Sequence, residues 1–186
     1  MSEAPQKFEG VMPFEVTIEG GLSLRILQPK DAEVIFVMLK QDPEISARVT
    51  WIHGVKTQQD VEDRIKDFQK KRSLRYAIIM AGDVVGYIGM WPDEGYMDKN
   101  APEGTFGFGY FLKPEARGQG IVHKSSLALM HQAEAVFQIK YWRAYVEDDN
   151  RASQAVLKNL GFAPTKGVFD EPVMHTAERC WERTVE

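Results

Sequence analysis

The run Arg117-Gly118-Gln119-Gly120-Ile121-Val122-His123 follows an apolar stretch that ends at Leu112 and opens a long amphipathic one. That order reads as a strand end, a glycine turn and a helix start. The first turn of a helix carries backbone N–H groups without partners. Its dipole adds about half a positive charge at the same place. Together they make an anion site. Gly118 and Gly120 remove side chains that would hold a diphosphate away from the backbone. Two familiar phosphate loops do not fit. A dinucleotide fingerprint needs a third glycine where His123 stands. A Walker loop needs Lys and Ser/Thr after its glycine, and Gly120 is followed by Ile121-Val122. An ordinary strand-to-helix turn has the same composition, so this segment alone leaves both readings open.

A second segment lies one helix and one strand further on: Asn150-Arg-Ala-Ser153, running to Leu160-Gly161-Phe162. Asn150 can cap a helix by accepting from the Ser153 N–H. That cap is by itself a sufficient reason for both residues. No Gly-x-Ser-x-Gly is present, so a covalent intermediate is not suggested. The four histidines, His53, His123, His131 and His175, lack metal-ligand spacing, and Cys180 stands alone.

The elements that would position these residues follow from pattern. Residues 14–18 and 22–27 alternate around Gly20-Gly21 and read as a hairpin. A helix is expected from Pro29 and Asp31 to about Lys40, broken by Asp42-Pro43. Thr57 caps the next helix, with Asp60 at its third position. Strands are expected over 74–80, 84–91, 105–112 and 141–147, and closing strands over 162–169 and 179–185. Along 105–112, Phe106, Phe108, Tyr110 and Leu112 share one face and Gly107 and Gly109 the other. Those glycines leave either room for a substrate or a site of close packing. Residues 120–137 form a strong amphipathic helix, and a helix from Asn150 stops at Gly161. One mixed sheet with helices on both faces accommodates this order, an α/β (α+β) fold. Residues 1–13 are polar with two prolines and read as a loose lead-in to a single domain over 14–186.

Composition bounds the function. The 186 residues are 44% hydrophobic and 27% charged, as globular chains are. A net charge of -4, with no basic run beyond Lys70-Lys71-Arg72, argues against nucleic acid as a partner. It is compatible with cationic amine substrates. One cysteine excludes an intrachain disulfide. Neither a signal-like start nor a membrane-length apolar stretch is visible, so a cytoplasmic protein without a membrane partner is expected.

With both segments in view, the chain resembles the GNAT superfamily of N-acetyltransferases. Residues 117–122 are similar to its Arg/Gln-x-x-Gly-x-Gly/Ala motif. The Asn150-x-x-Ser153 block and the opening Leu22-Ser-Leu-Arg25-Ile-Leu-Gln-Pro29 resemble the RimJ/RimL ribosomal-protein-alanine acetyltransferase branch. Val122 departs from the motif's last small residue and would either crowd the diphosphate or turn into the core.

The resemblance implies a single domain with a mostly antiparallel sheet of about six to seven strands, splayed at its middle. It implies acetyl-CoA (coenzyme A) as co-substrate, no metal, and a monomer or homodimer. The pantetheine arm would pair with Tyr110, Phe111 and Leu112. Arg117, Gly118, Gln119, Gly120, Ile121, Val122 and His123 would surround the diphosphate, and Asn150 and Ser153 would face the arm and sulfur. An amine acceptor, a peptide N-terminus or a small amine, would attack the thioester directly. The tyrosine that many members place in the helix after the Asn is missing here, where Val156, Leu157 and Lys158 stand. Ser153 is the candidate to serve the leaving thiolate, and Glu103 or Glu147 the candidate base. Trp51-Ile-His53 falls where this family shapes its acceptor pocket. A degenerate cofactor-binding module with a regulatory or scaffold role is the alternative.

Overall fold

The computed structural model describes residues 12–70, 74–93, 95 and 97–185. The expected lead-in lies outside the described residues as far as residue 11. Its last two residues are packed: Met12 is 7% exposed, and the Tyr76 hydroxyl donates to the Pro13 carbonyl at 2.9 Å.

Alternation puts β1 (Glu15–Ile18) and β2 (Leu22–Ile26) into the expected hairpin. Its turn needs two left-handed residues, which Gly20 (φ 77°) and Gly21 (φ 75°) supply without steric cost. β3 (Leu74–Met80), β4 (Asp83–Pro92) and β5 (Thr105–Leu112) continue the antiparallel sheet. The chain then crosses over through α4 (Ile121–Val136) to β6 (Tyr141–Glu147), which runs parallel to β5. Such a pair requires a crossover of this length. β8 (Ala177–Thr184) pairs antiparallel with β6, and β7 (Ala163–Asp170) lies outside it. The sheet order is β1-β2-β3-β4-β5-β6-β8-β7. Eight strands stand against the expected six to seven, because all eight strand-like runs of the sequence join the one sheet.

Helices α1 (Ala32–Gln41), α2 (Pro43–Arg48) and α3 (Gln58–Lys70) cover one face. Their apolar stripes, including Ile35, Ile45 and Ile65, pack on Ala77, Tyr87 and Phe111. Thr57 caps α3 as expected: its Oγ1 accepts from the Asp60 N–H at 3.1 Å, and Asp60 accepts from the Thr57 N–H at 2.9 Å. The other face carries α4 and α5 (Arg151–Asn159), with Ile121, Val122, Leu129 and Leu157 against Phe106, Phe108 and Trp142. Trp142 is wholly buried, and its Nε1–H is satisfied by Glu134 at 2.7 Å.

Asp42-Pro43 was expected only to break a helix. Asp42 does end α1, but its Oδ1 also accepts from the Glu44 N–H at 3.1 Å and caps α2. Pro43 is then the first residue of α2, where a proline's missing N–H costs nothing. One dipeptide therefore stops one helix and starts the next.

The glycines of β5 serve close packing. Trp91 of β4 lies across them, and a Cβ at Gly107 would overlap its indole ring. The Arg75 guanidinium stacks on the same indole, 4.5 Å from the ring centroid. Gly107→Ala is therefore expected to destabilise the fold by about 1–3 kcal/mol, the usual cost of overpacking. A lowered urea midpoint with an unchanged m-value would register it.

Candidate active site

β5 and β6 pair only at Thr105↔Tyr141, Phe106↔Trp142 and Gly107↔Arg143. Beyond those three pairs they part. Residues 108–112 keep their pairing to β4 and present an open edge towards β6. Main-chain polar groups on such an edge require a partner. Tyr110, Phe111 and Leu112 all lie on this stretch.

The anion cradle stands at the wide end of the splay. Gly118 (φ 73°) and Gly120 (φ 71°) both adopt the left-handed conformation, and no atom lies within 4 Å of where their Cβ atoms would be. Gly120 caps α4 with no side chain, and the first turn holds no acidic residue. The first helical bond runs from the Lys124 N–H to the Gly120 carbonyl. Among the described residues, the amides of Ile121, Val122 and His123 have no acceptor. Val122 is only 8% exposed and sits in the core, so its side chain does not crowd the cradle. Ile121 is buried likewise; both can offer a ligand only their backbone. Gln119 donates to the Glu115 carbonyl at 2.8 Å. An open depression of about 240 Å³, lined in part by Lys113 and Gln119, adjoins the turn.

Arg117 has a structural task. Its Nε and Nη2 donate to the Leu112 carbonyl at 3.2 and 3.0 Å, folding the loop back on the strand end. It also pairs with Asp42. At the other end of α2, Arg48 pairs with Glu147 and with Asp149, the latter at 2.9 Å. One short helix thus spans the splay and is tied to both arms. Neither tie is visible in the sequence, since the partners are 75 and 99 residues apart.

Asn150 caps α5 as expected, accepting from the Ser153 N–H at 3.1 Å. The structure brings Ser153 beside the Tyr110 hydroxyl, which is buried and makes no well-formed hydrogen bond. Burial pushes the Tyr110 phenol up to about 12, with Ser153 pulling the other way. Tyr110 thus adds a second hydroxyl beside Ser153.

The two candidate bases separate. Glu103 is exposed and precedes β5 at its closed end, beside the Gly104 carbonyl that accepts from Lys140 and Tyr141. There the strands are paired and no gap exists. Eight β5 residues, about 25 Å of strand, separate it from the cradle. Glu147 lies at the open end but is held by Arg48. A third carboxylate was missed. Glu178 on β8 is directly opposite Glu147 and is 8% exposed. Burial, then the charges of Glu171 and Glu147, push it up to about 8. The sequence pattern places this strand over 179–185, and the structure starts it at Ala177; the i, i+2 series Glu178, Cys180, Glu182 is the signal that extends it.

Trp51 belongs to an aromatic cluster with Phe68 and Tyr87, at 5.2 and 5.1 Å between centroids, on the α1–α3 face. Among the described residues no group of His, Cys, Asp and Glu could hold a metal. No described helix is long and apolar enough to cross a membrane.

The profile of the acetyltransferase (GNAT) domain family matches residues 22–163. No curated protein matches the sequence significantly. Among solved structures, the chain is similar to RimL, a ribosomal-protein alpha-N-acetyltransferase in complex with coenzyme A: 19% identity, 92% of this chain and 98% of that one, TM-score 0.74. It is similar to RimJ of Mycobacterium smegmatis in complex with CoA-disulfide: 16% identity, 96% and 89% of the two chains, TM-score 0.76. It is also similar to the microcin self-immunity acetyltransferase MccE in complex with acetyl-CoA and AMP: 18% identity, 95% and 99% coverage, TM-score 0.74. At such identities the likeness is one of fold.

The raised Glu178 carboxyl carries a stability consequence. Between its ordinary pKa and about 8, this group is protonated in the fold and ionised in the unfolded chain. Its contribution is complete at low pH and is lost as pH rises to about 8. Glu178→Gln mimics the protonated form. Its melting temperature should match the parent's near pH 4 and exceed it by a margin that grows up to pH 8 and then levels off. Thermal melts across that range give the comparison.

Proposed function

The chain belongs to the GNAT acetyltransferase family, and on that premise we propose that it is an acetyl-CoA-dependent N-acetyltransferase acting on a primary amine, a protein N-terminus or a small amine. The observation that carries this reading is the splay between β5 and β6 with unpartnered α4 amides at its mouth. A pantetheine arm has amides of its own and can pair with residues 110–112 as an added strand would. The amides of residues 119–123 hold the diphosphate, and Gly118 and Gly120 give it clearance. Arg117 keeps the loop in shape through the Leu112 carbonyl. The protein alpha-amine acceptor of RimL supports the N-terminal option. The lone Cys180, free and buried, suits a cytoplasmic enzyme.

The chemistry asks for little beyond position. The acceptor must be a neutral amine, because an ammonium has no lone pair. Its nitrogen attacks the thioester carbon, and the carbon–sulfur bond breaks. A β5 amide facing the gap stabilises the negative charge that develops on the carbonyl oxygen. Ser153, with the Tyr110 hydroxyl beside it, gives a proton to the departing thiolate and regains one from the newly acylated nitrogen.

Release of free coenzyme A, measured with acetyl-CoA and a panel of amines and short peptides, tests the proposal. Turnover with at least one acceptor is expected. Binding without turnover on any amine would instead mark a cofactor-binding module. Gly120→Glu places a carboxylate in the anion cradle and strains a left-handed residue. It should weaken coenzyme A binding by about 100-fold or more in calorimetry. Ser153→Ala should lower kcat by about 100-fold, the usual worth of a positioned proton donor, with the KM for acetyl-CoA little changed.

A further inference from the structure

The sheet face under α2 carries a dense set of charged groups, and nearly all of them have partners. Arg143 pairs with Asp98 at 2.9 Å and Glu182 at 2.8 Å. Asp93 accepts from the Tyr145 hydroxyl at 2.6 Å. Glu147 has Arg48. Glu171 accepts from the amides of Val173 and Met174. Glu178 is the exception: the residue is 8% exposed, and among the described residues its side chain has neither a hydrogen bond nor an ion pair. An unpaired carboxylate in that setting is costly and marks a place where charge is supplied from outside.

Its position is informative. Counting on from Gly107↔Arg143, Glu147 stands level with Phe111, inside the open part of the splay. Glu178 is the direct cross-strand neighbour of Glu147, about 5 Å away at Cβ. The groups around it are Glu147 on β6, Glu171 after β7, Phe169 of β7 opposite it, Cys180 next along its own face, and Arg48 reaching down from α2. Arg48 is the one cation among them and is already shared by Glu147 and Asp149.

We propose that Glu178, flanked by Glu147 and Glu171, is the subsite that receives the acceptor as a primary ammonium and removes its proton. The inference rests on the acetyltransferase reading above and specifies the acceptor as a cationic amine. The Glu178 carboxylate takes one proton from the ammonium. The neutral nitrogen then forms the N–C bond as the C–S bond breaks. The second proton of the nitrogen ends on the thiolate, and Glu178 returns its own to water. Arg48 is paired with Glu147, which leaves Glu178 as the carboxylate without a cation partner.

Two measurements on the full chain test this. The first follows the Glu178 carboxyl by carbon NMR titration, assigned with Glu178→Gln, using butylammonium as probe and butanol as its uncharged counterpart. Butylammonium should lower the Glu178 titration by one pH unit or more, and butanol should leave it in place. No response to butylammonium, or an equal response to butanol, overturns the proposal whether or not the protein turns over. The second compares kinetics with an acceptor that the parent uses. Glu178→Gln should lose about 100-fold in kcat/KM for the amine. It should also lose the limb of the pH profile near 8, while coenzyme A affinity stays within twofold. Glu178→Asp should recover part of the rate. Parent-like activity and an unchanged profile in Glu178→Gln would refute the role. Failure of the acetyltransferase reading looks different: the parent itself would release no coenzyme A with any amine.

Discussion

Two parallel strands that pair for three residues and then part leave main-chain groups that must find another partner. Everything else in this molecule is arranged around that opening. β5 is braced on its far side by full pairing with β4, and β6 by full pairing with β8. Each arm is therefore rigid although the gap between them is not bridged by hydrogen bonds. The α4 crossover, buried through Ile121, Val122, Leu129 and Met130, joins β5 to β6 and puts its own unpartnered amides at the mouth of the gap. An open strand edge and a helix start, each costly if buried alone, both leave unpartnered main-chain groups at this gap.

The second constraint is what keeps the arms at their spacing. α2 is a six-residue helix with little core of its own, of which Ile45 is the buried member. Its ends are tied by Asp42 to Arg117 and by Arg48 to Glu147 and Asp149. Exposed ion pairs are weak individually, but these act at the termini of a rigid element, where they fix placement more than they add stability. They also engage Arg117 of the glycine loop and Glu147 at the open end of β6, so the placement of α2 is linked to both arms of the splay. Arg117 organises the loop through the Leu112 carbonyl, and Arg48 pairs with Glu147.

Val122 and the β5 glycines show how a motif departure can be harmless and a motif-like feature can be structural. Val122 turns into the α4 core, so the cradle depends on its amide alone. Gly107 and Gly109 make way for Trp91, an indole held from above by Arg75. In both cases the helix or strand periodicity decides which face a side chain meets, and that face decides its meaning.

The local signals were legible in the chain. Period-two and helical patterns located β3 to β6, α3, α4 and α5 to within a residue or two, because the helices carry an apolar face and caps such as Thr57 and Asn150, and the strands are short apolar runs bounded by turn residues. The glycine turn at 118–120 and the Asn150-x-x-Ser153 block were equally visible, since they depend on backbone conformation and short spacings. What tertiary structure alone decided were the meetings between distant residues: Arg48 with Glu147, Asp42 with Arg117, Tyr110 with Ser153, and the buried Glu178 beside Glu147. Charges and hydroxyls look alike on paper whether solvated or enclosed. Their protonation and partners are set by burial and by which strands lie side by side, and those follow from sheet order, which no local pattern encodes.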